Sequence, residues 1–407
     1  MIDIRAARAE TDAYRAALAR KGAEQDFDAL MEADRAWLAL VPRVDELRAK
    51  TKVKGKPTPE QIEELKAVKG DLQRAEEELA AAERRRVELL DRVPAPPDES
   101  APDGFTEDDA EELRRVGEPP AFPYEARDHL ELARIETERG AKVSGSRFVY
   151  RVGAAALLEL ALYRFALDRL LAKGFTPVLP PVLVREEAMY GTGFLPTDEV
   201  NIYRIERDEV YLTGTSEVAL AAFHTGEVVE AETLPLHYAG YSTCFRREAG
   251  AAGKDTRGMF RVHQFDKVEM FVFCRPERSR DEHDGLLAVE EELVQELGIP
   301  YRVVNVAAGD LGASASKKYD IEAWFPGQGR YREITSTSNT TDYQSRRLDV
   351  RFRGEQGLEF VHTLNGTAMT ARALIAVLEN FQDEGGAVAV PEPLLAFGAP
   401  ARIEPGD

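Results

Sequence analysis

At 407 residues and 43% hydrophobic content the chain can build two packed domains, since single cores rarely grow much beyond ~250 to 300 residues. A formal net charge of −20 excludes a nucleic-acid surface spread over the whole molecule and confines any such contact to local basic patches. Two cysteines, Cys244 and Cys274, exclude a disulfide framework and a cysteine-rich zinc cluster; both read as small buried strand residues, and no zinc is expected.

In chain order, Met1-Ile2-Asp3 opens a charged helix rather than a signal peptide, and no apolar run approaches the ~20 residues that span a bilayer. A cytoplasmic location without membrane contact is the expectation. From about Asp28 to Thr51, Leu30, Trp37 and Val44 on one register and Ala33, Leu40 and Leu47 on another predict a helix with one apolar seam. Pro42 inside it predicts a kink or a restart. Val53 to Pro59 breaks the pattern, and Leu65, Val68, Leu72, Ala75, Leu79, Ala82 and Leu89 predict a second helix. Two such helices form an antiparallel hairpin, either a coiled coil for dimerisation or an arm whose tip meets a partner. Residues 26–93 hold 14 Lys/Arg against 16 Asp/Glu, and Arg48, Lys50, Lys52, Lys54 and Lys56 follow one another with no acid between them. That basic tip on an acidic protein favours an arm that attracts phosphates.

Pro94 to Pro102 reads as an exposed linker, so the domains are expected at 1–98 and 99–407. The second opens with an apolar helix from about Gly153 to Ala172. Short β-rich runs follow: Tyr203–Thr213, Ser242–Arg247, Phe260–Cys274, Tyr301–Ala307, Ala323–Phe325, Tyr331–Thr337 and Phe360–Leu364, with a helix over Arg278–Leu297 among them. Hairpin-like spacings predict an α+β domain built on an antiparallel sheet. Neither GxGxxG nor GxxxxGK[ST] occurs, so a nucleotide would not be held in a Rossmann or P-loop manner.

The chemistry concentrates between Thr243 and Glu269. Arg246 and Glu248 are expected on the first strand of a hairpin, a turn rich in glycine carries Lys254 and Arg257, and Phe265 and Glu269 return on the second strand. A guanidinium can fork onto a phosphate, an aromatic face can stack on adenine, and a carboxylate can accept from an amine or hydroxyl. This segment resembles motif 2 of the class II aminoacyl-tRNA synthetases. Gly174-Phe175, Val178 and Pro181-Val182-Leu183 are similar to motif 1, and Asn365 to Gln382, with Arg372 at a strand-to-helix junction, is similar to motif 3. Thr215-Ser216-Glu217, the RREAGAAGKDTRG loop followed by RVHQFDKVE, Glu333-Ile334-Thr335-Ser336 and Asn365-Gly366-Thr367 narrow the resemblance to the seryl-tRNA synthetases, over nearly the whole chain.

The resemblance implies a serine-tRNA ligase that forms seryl-adenylate from L-serine and ATP with Mg²⁺, then charges serine tRNA, and it leaves open whether selenocysteine tRNA is charged too. A homodimer with motif 1 at its interface is implied. Arg246 and Arg372 take the catalytic roles. Arg246, Arg247, Glu248, Phe265, Glu333, Ile334, Thr335, Ser336 and Arg372 belong to the ATP-binding segments, with Glu333 and Ser336 on the metal, whereas strand alternation directs the Thr335 side chain to the other face. Thr215, Ser216, Glu217, Arg246, Glu269, Asn365 and Thr367 surround serine, with Glu269 and Thr367 assigned to its hydroxyl. Arg48, Lys50, Lys52, Lys54 and Lys56 on the arm, and Lys254 and Arg257 in the loop, meet the tRNA. His263 is expected to pack or to orient the loop, because an ionised substrate carboxylate needs no general base.

Overall fold

The computed structural model describes residues 1–52, 58–249, 255, 257–355 and 357–407. Lys54, Lys56 and Lys254 lie outside the described residues. The chain divides into two compact units, Met1–Pro96 and Pro97–Asp407.

In the first unit, short helices Ile4–Ala9 and Thr11–Ala19 precede two long ones, α1 (Glu24–Lys50) and α2 (Pro59–Leu90). At ~1.5 Å per residue these reach about 40 and 48 Å. Thr58 and Gln61 close a capping box and Pro59 occupies the first helical position, where its missing N–H breaks no bond. The helices run antiparallel, with Arg43–Glu78 at 3.2 Å, Arg48–Glu76 at 2.9 Å and Arg86–Asp34 at 2.9 Å across the seam. Every predicted seam position on both helices is at least partly covered. α1 runs on through Pro42 without a restart, because the residues on either side keep their seam contacts with α2 and one missing hydrogen bond does not undo them. Asp34 is fully buried and takes Arg8 at 2.6 Å as well as Arg86. Burial opposes its ionisation, yet the two guanidinium groups outweigh that and hold the carboxyl below its usual range.

The second unit is built on an eight-stranded sheet: β1 (Glu111–Val116), β2 (Thr176–Val178), β3 (Leu236–Phe245), β4 (Gln264–Cys274), β5 (Tyr301–Asn305), β6 (Lys317–Phe325), β7 (Arg330–Thr341) and β8 (His362–Thr370), in the order β1-β5-β6-β7-β8-β4-β3-β2. All neighbours are antiparallel except β2 on β3. The strands β3, β6, β7 and β8 extend well beyond the runs read from β-propensity, and Tyr203–Thr213 splits into Tyr203–Ile205 and Val210–Leu212 around a 3₁₀ turn. Helices α3 (Ala154–Ala172), α4 (Ser279–Glu296) and α5 (Ala371–Asn380) share a core with the sheet. In β4 the alternation decides which core each residue enters. Val268, Met270, Val272 and Cys274 join these helices, whereas Phe271 and Phe273 join Leu220, Val350 and Phe352 on the opposite face. A strand buried on both sides reads as one continuous apolar run, as MFVFC does.

Candidate active site

Strand ends and bulges place the polar residues of one cavity of about 570 Å³. β3 ends at Phe245, so Arg246 and Glu248 lie just past the strand rather than on it. Glu248 takes a left-handed backbone, φ 52°, that no strand would allow. Arg246 is held from three directions. Its backbone N–H donates to the His263 carbonyl at 3.0 Å, His263 Nδ1 donates to its carbonyl at 2.9 Å, and its Nε donates to the Gly214 carbonyl at 3.1 Å. Its guanidinium stands 5.3 Å from the Phe265 ring centroid. His263 therefore orients Arg246 through the backbone and takes no other part visible in the cavity.

Glu333, Ile334 and Ser336 line the cavity, and a bulge explains how two residues three apart on a strand can do so. Between β6 and β7 the pairing runs Ile321 with Thr335 and then Glu322 with Glu333, leaving Ile334 unpaired and resetting the alternation. Arg372, second residue of α5, donates to the Glu333 carbonyl at 2.9 Å and pairs with its carboxyl at 3.1 Å. Burial works against ionisation of Glu333, but Lys318 and Arg372 prevail and hold it well below the usual carboxylate range. Lys318 is itself paired with Asp320 at 2.8 Å. Burial would lower Lys318, and the charges of Asp320 and Glu333 raise it instead.

At the other side of the cavity the β4–β8 register sets Glu269 directly opposite Thr367. Thr215, Glu217 and Asn365 complete this buried group, Glu217 Oε1 accepting from Gln344 at 2.7 Å and from Asn365 at 3.0 Å. Burial first, and then the neighbouring Glu269, push Glu217 up to about 7. Glu269 is also raised by burial, against the pull of Lys267, with which it forms an ion pair.

Three residues expected in the site point elsewhere. Ser216 donates to the Gly240 carbonyl inside the core, since it sits between Thr215 and Glu217 as the chain turns into a helix. Arg247 lies over Tyr203, 5.8 Å from its ring, because consecutive residues after β3 diverge. Thr335 faces away, as its strand position requires, and donates to the buried Glu290 at 3.0 Å. Among the residues expected to meet tRNA, Arg48 and Lys50 pair with Glu76 and Glu46, Arg257 with Asp128 at 3.2 Å, and Lys52 is exposed.

The cavity also holds residues that sequence reading passed over: Phe260, Arg261, Lys267 and Lys318. Arg261 reaches Glu248 at 2.9 Å. Alternating Lys267/Glu269 and Lys318/Asp320 on strands was the available signal, since residues i and i+2 share a face. No group of three or more His, Cys, Asp or Glu suited to a metal ion occurs among the described residues, and Cys244 and Cys274 are free and buried. No helix among them is long and apolar enough to cross a membrane.

Residues 201–381 match the class II tRNA synthetase core domain of the G, H, P, S and T enzymes, and residues 1–97 match the seryl-tRNA synthetase N-terminal domain. The chain is 48% identical to a serine–tRNA ligase of Thermobifida fusca over 98% of its own length and 97% of that protein's. It is 46% identical to one of Corynebacterium efficiens with full coverage of both. The crystal structure of seryl-tRNA synthetase from Pyrococcus horikoshii complexed with ATP superimposes with a TM-score of 0.94 at 38% identity, covering 100% of each chain. The likeness runs the full length of the chain in sequence and in fold, and the chain belongs to the seryl-tRNA synthetase family of class II aminoacyl-tRNA synthetases.

Proposed function

We propose that this chain is a serine-tRNA ligase: it joins L-serine to ATP, giving seryl-adenylate and pyrophosphate, and passes the seryl group to the 3′-hydroxyl of the terminal adenosine of serine tRNA. One observation carries the reading. Arg246 lines one cavity with Glu217 and Glu269 on one side and Glu333, Lys318 and Arg372 on the other, so a single guanidinium joins a small acidic pocket to a groove that carries cations.

In this reading the serine ammonium lies against Glu217, which Gln344 and Asn365 orient. Its hydroxyl meets Glu269 and Thr367, which face each other across β4 and β8, and a substrate without a hydroxyl would forfeit those hydrogen bonds. Arg246 spans the substrate carboxylate and the α-phosphate, bringing them into line and neutralising both. The carboxylate oxygen bonds to the α-phosphorus as the bond to pyrophosphate breaks. Phe265 offers its face to adenine, Glu248 accepts from the adenine amino group or the ribose, and Arg372 meets the γ-phosphate. Arg261 and Lys318 add positive charge along the same groove. Because the attacking carboxylate is already ionised, no general base is needed.

The oxygen donors at Glu333 and Ser336 suit Mg²⁺, which prefers hard oxygen ligands and retains waters and phosphate oxygens rather than a dedicated protein cage. Glu333 is held ionised as such a ligand must be. Bound with ATP, the ion would supply charge neutralisation at the phosphates.

The long hairpin serves as the tRNA arm in this reading, and Lys254 and Arg257 would approach the acceptor end. Homodimerisation has support in an exposed apolar surface: Leu157, Leu160 and Leu171 on α3 and Leu179 and Leu183 beyond β2, with Leu179 83% exposed. The chemistry belongs where tRNA and ATP are found, in the cytoplasm.

The test is ATP–pyrophosphate exchange by the purified protein with serine, threonine, alanine and glycine, with and without Mg²⁺. Exchange with serine alone, dependent on Mg²⁺, is expected. Equal exchange with alanine, or none with any of the four, overturns the reading.

A further inference from the structure

His129 begins a short helix, His129–Leu132, and is buried between α5 and the segment that enters β4. Both ring nitrogens are engaged. The Met259 N–H can only donate and reaches Nε2 at 3.2 Å, so the ring proton resides on Nδ1, which donates to Glu379 Oε1 at 3.0 Å. The other oxygen of Glu379 accepts from the Gly327 N–H at 3.0 Å, in the β6–β7 turn. The approach at Gly258 is close: a Cβ there would lie 2.4 Å from Nε2, and its φ of +81° already favours glycine.

The neighbour of Met259 gives this chain of bonds its consequence. The ring of Phe260 lies 4.7 Å from the Arg372 guanidinium and 3.7 Å from that of Arg332, with Phe325 at its edge, ring centroids 5.5 Å apart. Arg372 and Glu379 stand seven residues apart on α5. One helix therefore carries the arginine and, through Glu379 and His129, grips the backbone that presents the ring beneath it.

We propose that His129 is a positioning residue for nucleotide binding: by accepting from the Met259 N–H it sets Phe260, and Phe260 aims Arg372 at the phosphates. The inference rests on the ATP role proposed for Arg372. Among the described residues, Thr215, Glu217, Glu269 and Thr367 of the serine pocket make their contacts elsewhere.

Amide variants separate the two ring nitrogens. His129→Gln can return an acceptor oxygen near the place of Nε2, whereas His129→Asn can return a donor near the place of Nδ1 but cannot reach Met259. Mg²⁺-ATP affinity is measured by calorimetry, and KM values for ATP and serine by pyrophosphate exchange. His129→Asn and His129→Ala should weaken ATP by about tenfold, the scale expected when a buried donor is stranded and a neighbouring group shifts. His129→Gln should recover most of that loss, and serine KM should stay within about twofold of the parent, as expected of a pocket that shares no contact with the change. Phe260→Leu, which leaves the His129 bonds in place, should reproduce the ATP defect and decides the matter if His129→Asn does not fold. ATP affinity unchanged in His129→Asn or Phe260→Leu overturns the proposal, as does a loss in His129→Gln equal to that in His129→Asn, or a serine KM that moves with the ATP KM. Since calorimetry reads ATP binding directly, a parent protein that binds ATP but exchanges with no amino acid sinks the ligase reading while leaving His129 on trial.

Discussion

In the proposed reading, Glu217 would oppose stability when ionised and serve binding in the same form. Its folded value near 7, against an ordinary 4.5, comes from burial first and Glu269 second, with Lys267, Gln344 and Arg246 pulling the other way. A carboxyl raised on folding contributes stability in full below the unfolded value, and that contribution is lost as pH rises through the folded one. Capture of a substrate ammonium has the reverse demand, an ionised Glu217. Serine KM should accordingly fall as pH rises from 6 to 8, by up to tenfold per unit below the titration and little above it. Glu217→Gln keeps the oxygen that Gln344 and Asn365 donate to. It should melt higher than the parent at pH 8, show a smaller difference at pH 5, and bind serine far more weakly. A serine KM flat across that range, or a Glu217→Gln variant that melts lower at pH 8, would show that the buried carboxyl does not behave this way. The Thr, Glu and Asn residues of this pocket were legible in the sequence through TSE and NGT, but Gln344 was not, since nothing local marks a glutamine 127 positions away as the donor that holds Glu217.

At the scale of an element, β7 separates two neighbouring hydroxyls by the direction they face. Thr335 donates to Glu290, whose burial pushes it well above the usual carboxylate range, and Thr335→Val would strand that buried group. A loss of about 1 to 3 kcal/mol in unfolding free energy is expected, with little change in ATP KM. Ser336→Ala should do the opposite, raising the Mg²⁺ concentration for half-maximal exchange while leaving chemical denaturation nearly unchanged. The alternation that turns Thr335 away was legible; the bulge at Ile334 that brings Glu333 and Ser336 to one side was not, because a bulge arises from the pairing of two strands and has no mark in one of them. In α1, Pro42 lacks the N–H that an interior helical residue donates, so Pro42→Ala should raise the thermal midpoint of the helical unit, by an amount set by up to ~3 kcal/mol. A variant that melts no higher would mean that the seam with α2 has already absorbed the defect.

On the whole-molecule scale, an overall charge of −20 and a hairpin nearly neutral along its length would, in the proposed reading, divide the labour between repelling and admitting a polyanion. Deleting Lys50 to Pro59 should preserve serine-dependent pyrophosphate exchange and abolish transfer to serine tRNA, and added salt should depress transfer far more steeply than exchange. Loss of both activities together would count against the arm as a separate device. The α+β class, the helical hairpin with its two seams, the apolar helix before β2 and the residue types of the site all come from periodicity and motif, because local hydrophobic pattern and turn chemistry act over a few residues. Tertiary structure alone decided that Arg246 stands beyond its strand with His263 gripping its backbone, that Lys318 and Arg372 hold Glu333 ionised, and that His129 reaches Met259 from 130 positions away. Those arrangements depend on register, bulges and burial between distant segments, and the free energy that selects them exists only once the strands are paired and water is gone.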